Sequence, residues 1–426
     1  VSIILSFAKD FKNSKVIKLE QNYRSNGSII NIAQSIISNN KNRLGKNLFT
    51  DKDLGEKVKI TALPDSKMEA KEIISKIGYY KKTRGYSYND FAILVRATSQ
   101  TRMLEEALLA EGIPYKIIGG LKFYERREIK DVLSYVKLLN GNIDDISMER
   151  ALKTPKKGIG DSTIDKIVEY AKERNLSLAR ACFDIAGDDP FIPPKIVGVK
   201  AFNILTTFCT TVKKWKERAN AGSMQAFIEQ IVKVVEEIKY IEFLKEEDED
   251  NIDQRAANIN ELLNAMQSFE SVDRFLEHIS LVSSLDEEGG ASEICVKMMT
   301  MHSSKGLEFP VVFLPGWEEG LFPSAKTVDE GGEIGIEEER RLAYVGVTRA
   351  REDLFISYSK MRMIYGGFIP TRESMFIAEI KPNDFIDYRD KTLGYASAGF
   401  AQGSNYRERV SSGERASFSN EIRQKI

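Results

Sequence analysis

The sequence contains few histidines and cysteines, which limits the chemistry that it can support. Among its 426 residues there are 2 histidines, His278 and His302, and 3 widely separated cysteines. No CxxC, HExxH or other spacing typical of zinc ligands occurs, so the sequence predicts no metal site of its own. Three isolated cysteines cannot form a disulfide framework, which favours a reducing, cytoplasmic location.

Long apolar segments and an excess of charge are also absent. No apolar run approaches the roughly 18 residues of a transmembrane helix, so no membrane association is predicted. Residues 1–8 lack the basic region and cleavage site of a signal peptide, and the first residue is valine, as in a piece of a longer protein. The net charge of −1 excludes a uniformly basic nucleic-acid coat but allows local basic patches. With 42% hydrophobic and 29% charged residues, the composition is that of an ordinary globular protein.

The first part of the sequence alternates between strand and helix patterns. A short strand is predicted at Val16–Leu19, and apolar residues then recur at helical spacing from Ile29 to Ile37. The wholly apolar run Phe91–Val95 is typical of a buried parallel strand. An amphipathic helix follows and ends at Gly112, before the next strand at Pro114–Ile118. This β-α-β order predicts an α/β domain.

The middle of the sequence loses these strand signals. Long helical runs such as Phe227–Leu244 and Ile252–Phe269 take over, with the acidic run Glu246–Asp250 predicted as a solvated loop. Strand patterns return at Ile294–Met301, Val311–Leu314 and Leu354–Tyr358. An α/β domain interrupted by an all-α insertion explains this order. The predicted divisions are 1–120 and 293–383 for the α/β domain, 121–292 for the insertion, and 384–426 for a Gly/Ser/Arg-rich flexible tail or linker.

Three polar loops contain residue types suited to phosphate and nucleic acid. In the first, Leu19–Ser25, a tyrosine is available to stack on a base and an arginine to bind phosphate oxygens. It is predicted at the carboxyl end of a strand, where open α/β sheets bind ligands. The alternative is an ordinary turn in which Ser25 or Ser28 caps the next helix.

The second loop, Thr300–Phe309, combines hydroxyl groups, a lysine and a glycine between two predicted strands. Such residues allow side chains and backbone N–H groups to approach a phosphate. A simple connection between strands is the alternative, and a metal-binding role for His302 is not indicated because no partner ligands lie nearby in the sequence.

The third stretch is the charged helix pattern Glu337–Arg351 with the residues that end it. Most of its charges suit the helix dipole and i,i+4 pairing. Arg349, after Gly346 and Thr348, stands at the end of the helix, where an arginine is able to extend out of the domain toward a phosphate. An ordinary charged residue at a helix end is the alternative.

In this order, the three strings resemble motifs IV, V and VI of superfamily 1 helicases of the UvrD/PcrA/Rep type. The strings Gly119–Arg126 and Gly320–Pro323 extend the resemblance, which spans nearly the whole chain to about 384. In that family two RecA-like domains close around ATP while single-stranded DNA crosses both. The resemblance implies that 1–120 and 293–383 form the second RecA-like domain, 2A, and that the helical insertion is domain 2B.

The resemblance also implies roles for individual residues. Tyr23 would stack on the adenine, Arg24 and Arg349 would contact the γ-phosphate as catalytic arginines, and Glu308 would bind the nucleotide sugar. The DNA path would include Thr300, His302 and Ser303. Positive charge at a transferring phosphoryl group stabilises its transition state, as in an arginine finger.

The segment Thr154–Gly160 resembles the Gly-Ile-Gly duplex-contact segment of these helicases. The candidate nucleic-acid-binding residues are Lys156, Lys157, Gly158 and Gly160. Glycines allow close approach of a phosphate, a helix N-terminus favours an anion, and lysines add charge. A Pro/Gly turn into a capped helix is the alternative here. For Lys213–Lys216 we favour a solvated helix face.

The sequence lacks the phosphate-binding G-x-x-x-x-G-K-[ST] loop, because its Gly45-Lys46 pair has neither the earlier glycine nor the following hydroxyl. No convincing magnesium-binding acidic pair follows a strand either; Leu281–Glu287 is the nearest, in a segment predicted as helix. We therefore expect the P-loop and the Mg²⁺ ligands to lie in a missing N-terminal RecA-like half of the same protein.

The sequence thus predicts the C-terminal portion of an ATP-dependent 3′→5′ DNA helicase, inactive as an ATPase alone. Its expected partners are single-stranded DNA, junctions with duplex DNA, the N-terminal half and repair or replication proteins. A non-catalytic DNA- or protein-binding module, and a subunit of an AddA/RecB-type helicase–nuclease, are the alternatives.

Overall fold

The computed structural model describes residues 11, 17–41, 43, 45, 47–188, 196–219, 222–288, 293–364 and 367–389. Within this part the chain forms two compact units. The first contains the described residues up to Lys122, Glu288–Met363 and those from Gly367 onward, and the second consists chiefly of Phe123–Glu287.

The first unit is built on an eight-stranded sheet. The strands are β1 Val58–Asp65, β2 Phe91–Val95, β3 Tyr115–Ile117, β4 Val296–Thr300, β5 Phe309–Leu314, β6 Ala350–Ile364, β7 Gly367–Pro370 and β8 Phe385–Asp387. Their order is β3-β4-β2-β5-β6-β1-β8, and β7 pairs with β6 outside this path. The neighbouring pairs along the path are parallel. The predicted α/β class, with a parallel sheet interrupted by a helical segment, is therefore confirmed.

Helices cover both faces of this sheet. They are α1 Gly27–Ile37, α2 Ser66–Arg84, α3 Thr101–Ala110, and later α13 Ala325–Val347 and the short α14 Met375–Ala378. All five residues of β2 are buried, and they alternate between two cores. Ala92 and Leu94 pack with α1 and α13, whereas Phe91, Ile93 and Val95 pack with α2 and α3. This double coverage explains why β2 is apolar at every position.

The second unit is helical throughout its described residues. Its α-helices are α4 Arg127–Asn140, α5 Asp145–Lys153, α6 Asp161–Glu173, α7 Leu178–Phe183, α8 Val199–Ala219, α9 Met224–Glu237, α10 Tyr240–Glu247, α11 Ile252–Met266 and α12 Val272–Glu288. The buried carboxylate of Asp131 joins several of them, because it accepts from Arg150 at 2.6 Å and from the Tyr240 hydroxyl at 2.7 Å.

Two predictions about this unit are wrong in detail. The run Phe227–Leu244 is not one helix, because Lys239 adopts φ +53° and separates α9 from α10. The acidic run Glu246–Asp250 is not simply a loop: it completes α10 and enters a short 3₁₀ turn. Its acidic residues also make specific ion pairs, Glu247 with Arg127 and Asp248 with Arg255.

Two predictions about the first unit are also wrong. Residues 17–20 form no strand, and Ile17 and Leu19 are 70% and 77% exposed because no core lies against them; Val16 is outside the described residues. The flexible tail does not begin at 384, since β8 pairs with β1 and buries Phe385. Residues 390–426 of the predicted tail lie outside the described part.

Candidate nucleotide and nucleic-acid site

The loop before α1 is held by side-chain hydrogen bonds. Asn22 Oδ1 accepts from the backbone N–H groups of Arg24 and Ser25 at 2.8 and 2.9 Å. Ser25 Oγ donates to the Ala350 carbonyl at 2.6 Å. Neither serine is the helix cap, because Asn26 Oδ1 accepts from the Ile29 N–H at 3.2 Å. The loop is therefore fixed to the start of β6, and the position of Arg24 is fixed with it.

The guanidinium of Arg24 is bound by two acceptors of the same unit. Its Nε donates to Glu308 Oε2 at 2.6 Å and its Nη1 donates to the Thr348 carbonyl at 3.1 Å. The Lys52 ammonium donates to the carbonyl of Arg24 at 2.6 Å. Arg24 therefore meets the second and third predicted loops, which are about 300 residues away in sequence.

The second arginine, Arg349, is turned back onto its own unit. Its Nε donates to the Val345 carbonyl at 2.9 Å, its Nη1 to the Leu307 carbonyl at 3.0 Å and its Nη2 to Thr348 Oγ1 at 3.2 Å. We expected this side chain to extend out of the domain; instead it is held by the Val345 carbonyl in the last turn of α13 and by the Leu307 carbonyl. Burial, followed by the positive charge of Arg24, lowers the pKa of Arg349 from its ordinary value. The two arginines meet at Thr348.

A single carboxylate lies among these cations. Hydrogen bonding from Arg24 is the main cause that holds the pKa of Glu308 below its ordinary value, and the charges of Arg24, Arg351 and Lys52 act in the same direction. Arg351 Nη1 is 3.9 Å from Glu308 Oε1. With Arg349, whose charge also interacts with Glu308, four cationic side chains surround this carboxylate, and their excess of positive charge suits a polyphosphate.

Tyr23 projects beside this cluster. Its side chain is 75% exposed, and its hydroxyl donates to Gln21 Oε1. Residue 21 forms a bridge with Phe49, which is 51% exposed. The sequence did not predict that Phe49, Lys52 and Arg351 lie beside Tyr23, Arg24 and Glu308. Arg351 belonged to the third motif string, whereas neither Phe49 nor Lys52 carried a local sequence signal.

The second loop begins at the end of β4 with paired hydroxyl groups. Thr300 Oγ1 and Ser303 Oγ are 3.0 Å apart, and the Ser303 N–H donates to Thr300 Oγ1 at 3.2 Å. Gly119 packs against this pair, because a Cβ at that glycine would lie 3.2 Å from Ser303 Oγ. His302 and Ser303 are exposed. The loop therefore presents polar side chains to solvent at the carboxyl edge of the sheet.

His302 is surrounded by a mixed set of charges. Partial desolvation, followed by the positive charge of Arg96, lowers its pKa from the ordinary 6.5, while Glu338 and Glu339 act in the opposite direction. The neutral imidazole is therefore favoured near pH 7.

The predicted duplex-contact segment lies in the helical unit, between α5 and α6. Lys156 is exposed, as expected. Lys157 is not presented to solvent as expected, because its ammonium points inward and donates to Tyr135 Oη at 2.8 Å and to the Ala151 carbonyl at 2.9 Å. Gly158 has φ +89°, and Gly160 is the N-cap residue of α6.

Two kinds of feature are absent from the described residues. No group of three or more His, Cys, Asp or Glu side chains in this part of the chain is arranged to hold a metal ion. No helix in the same part is both long enough and apolar enough to cross a membrane.

Comparison with known proteins agrees with the resemblance seen in the motifs. Residues 17–361 match the family model described as the UvrD-like helicase C-terminal domain. The chain belongs to the UvrD-like helicase C-terminal family. This confirms the relationship inferred from the three loops.

Individual members of the UvrD-like family are similar over most of the chain. A "Probable DNA helicase II homolog" of Rickettsia conorii is 44% identical over 89% of this chain and 57% of its own length. The "ATP-dependent DNA helicase PcrA" of Bacillus subtilis is 40% identical over 91% of this chain and 52% of its own length. The chain thus spans about half the length of the curated relatives that it matches.

Proposed function

We propose that this chain is the C-terminal portion of an ATP-dependent DNA helicase that moves 3′→5′ along single-stranded DNA. The observation that carries the proposal is the cluster in which Arg24 and Arg349 meet at Thr348 beside Glu308. Family membership supports the DNA helicase assignment, and the direction of movement rests on the resemblance alone.

The cluster has the donor set that a nucleoside triphosphate requires. The exposed ring of Tyr23 would stack on the base, and the two guanidinium groups would exchange their present acceptors for phosphate oxygens. Glu308 would bind the sugar through its carboxylate, once Arg24 is transferred to phosphate. Because an arginine fork binds phosphate in a fixed geometry, these residues would stabilise charge that develops during transfer. Bound Mg²⁺ would neutralise further phosphate charge, and we place its ligands and the P-loop in an N-terminal RecA-like half.

The second loop would connect nucleotide and DNA. Its first residues, Thr300 to Ser303, would contact the strand, and Glu308 at its other end contacts Arg24. Arg349 donates to Leu307 in the same loop. A change of the arginines' partners would therefore act directly on the backbone that presents the DNA-contacting side chains. Hydroxyl and backbone contacts of this kind position a strand without reading its sequence.

The proposal is tested by Arg349→Ala in this chain joined to its N-terminal half. DNA-stimulated ATP turnover should fall by about 10³-fold or more, the range typical of an arginine finger, while affinity for single-stranded DNA is retained. Arg274→Ala is the matched control, since this exposed arginine on α12 pairs with Glu277 on the same helix. A mild effect of Arg349→Ala on turnover would remove Arg349 from the role.

A further inference from the structure

The two adjacent lysines of the loop between α5 and α6 point in different directions. Lys156 is exposed, whereas the Lys157 ammonium lies within 3.2 Å of four oxygen atoms. These acceptors are Tyr135 Oη and the carbonyls of Ala151, Thr154 and Pro155, at 2.8, 2.9, 3.0 and 3.2 Å. When protonated, the amine has only three N–H donors, so its hydrogen-bonding capacity is filled inside the protein. Burial lowers the pKa of Lys157 to about 7.

Two of these acceptors, the carbonyls of Ala151 and Thr154, lie at the C-terminal end of α5. The last carbonyls of a helix have no partner within the helix and carry the negative end of its dipole, so a lysine there is stabilising. Tyr135 strengthens the arrangement, because its buried hydroxyl also lies 2.7 Å from the Thr154 carbonyl. The aromatic rings of Tyr135 and Phe208 also approach Lys157, each with its centroid 5.6 Å from Nζ.

The residues after Lys157 are fixed as well. Gly158 has a positive φ of +89°, and a Cβ there would lie 3.2 Å from Ile204 Cδ1, so α8 limits this position. Ile159 is buried at 6% exposure. The loop is thus attached to the helical unit at three successive residues, 157 to 159.

Gly160 differs from its neighbours. Its φ is −97°, which any residue adopts, and a Cβ there would have no atom within 4 Å. Packing within the protein therefore does not require glycine at 160, and the space outside it is open to an approaching group. The adjacent Asp161 carboxylate is paired with Lys153 at 2.5 Å, which offsets its negative charge at the start of α6.

We propose that Lys157 is a positioning residue which clamps this loop to the end of α5, and that Lys156 alone of the two lysines contacts duplex phosphate. The assignment rests on the proposed helicase function and on the resemblance of this loop to a duplex-contact segment. It divides two contributions that the sequence presents as one basic pair: Lys156 supplies charge, and Lys157 supplies the geometry that brings Lys156 and Gly160 to the DNA.

The dependence of duplex affinity on salt distinguishes the two contributions. Each neutralised phosphate adds about 0.9 to the slope of log K against log [salt] for B-DNA. In the 426-residue chain, Lys156→Ala should reduce this slope by about 0.9 with a blunt 20-bp duplex as the probe. Lys157→Met should leave the slope unchanged and weaken binding about 5–10-fold, because the released loop must then be ordered when DNA binds. Lys157→Arg, which keeps charged donors, should restore the affinity.

Hydrogen exchange supplies a second readout that does not depend on DNA. Lys157→Met should accelerate exchange of the amides of residues 154–160 and of the last turn of α5, whereas Lys156→Ala should not. Tyr135→Phe removes one partner of the ammonium and should act in the same direction, so it serves if Lys157→Met does not fold. Lys172→Ala, at an exposed position on α6, controls for loss of one positive charge elsewhere in the unit.

Three results would overturn the assignment. A slope reduced by Lys157→Met without faster exchange would make Lys157 itself a phosphate ligand. Unchanged exchange and affinity in both Lys157→Met and Tyr135→Phe would exclude a clamp. No duplex binding by the unsubstituted chain would remove DNA from the loop, while the ATP-dependent function would still be judged separately by Arg349→Ala.

Discussion

Arg24 is held by interactions weak enough to exchange. The side chains of Arg24 and Glu308 are 26% and 44% exposed, and pairs in such positions contribute only about 0–1 kcal/mol. Hydrogen bonds to a phosphate would be charge-assisted like the one to Glu308, but several oxygen atoms of a polyphosphate would accept at once. The short Arg24–Glu308 contact is therefore compatible with transfer of the guanidinium to a nucleotide.

The environment of Arg349 also favours the binding of an anion. Its pKa is lowered by burial and by the like charge of Arg24, so both charges would be stabilised by an anion placed between them. Thr348 contributes to this arrangement, because its carbonyl binds one arginine and its hydroxyl lies beside the other. These contacts keep the two arginines close to each other.

His302 gives a prediction with a defined pH dependence. Its lowered pKa means that it is neutral at pH 7.5 and gains a charge only as the pH falls through a value below 6.5. His302→Gln should therefore leave the salt slope of single-strand binding unchanged at pH 7.5. The unsubstituted protein should gain affinity relative to the variant below pH 6.5, because only it acquires the charge. Fluorescence anisotropy with an oligo-dT strand measures both.

The outcome that would contradict this prediction is also clear. If His302→Gln lowers the slope at pH 7.5 by about 0.7, the value for one phosphate of a single strand, the imidazole is charged in the complex.

At the scale of secondary structure, α1 carries the arginine loop and depends on one asparagine. Asn26 caps the helix through Oδ1, and its Nδ2 donates to the Glu352 carbonyl at 2.6 Å. Asn26→Ala should destabilise the first unit by about 1–2 kcal/mol, since a helix cap and a buried hydrogen bond are both lost. Urea unfolding, with hydrogen exchange of the α1 amides, measures the loss.

The control for Asn26→Ala is Ser75→Ala. Ser75 is exposed on α2, so this change should have little effect on the unfolding midpoint. Equal midpoints for the two variants would show that the cap does not stabilise the unit.

Periodicity in the sequence predicted the helices and strands that pack an apolar face against a hydrophobic core. The helix at Ile29–Ile37 and the strand at Phe91–Val95 are confirmed because their apolar spacing matches a single core on each face. The strand at Val16–Leu19 was wrong over its described residues because an apolar pattern does not reveal whether a core lies against it.

The site was predictable only where a motif was continuous. Tyr23, Arg24 and Glu308 stand out in their strings, and the structure brings Arg24 and Glu308 together. Lys52 approaches Arg24 through a loop contact with no local pattern. The inward direction of Lys157 depends on Tyr135, which lies on α4 and is separated from the loop by the whole of α5. Long-range contacts of this kind are set by tertiary packing and not by residue type.

At the scale of the whole molecule, the sequence predicts that the 426 residues alone do not hydrolyse ATP. They contain arginines suited to the γ-phosphate but no G-x-x-x-x-G-K-[ST] sequence to bind the other phosphates. A coupled assay should therefore detect no DNA-stimulated ATPase activity in this polypeptide.

Arg349→Ala in the same 426-residue polypeptide separates true activity from contamination. A background rate that is equal in both preparations comes from another protein. DNA-stimulated activity that disappears in the variant would show that the chain completes its own catalytic site.

The order of the strands also affects how the chain folds while it is being synthesised. The central strand β2 has β4 and β5 as its neighbours, and both lie after the whole helical unit in the sequence. At about 5–20 residues per second, translation would leave this wholly apolar strand without either neighbour for roughly 10–40 s. The helical unit, whose contacts are closer in sequence, is able to fold during that interval. Until its neighbours emerge from the ribosome, this one nascent strand is therefore exposed to aggregation.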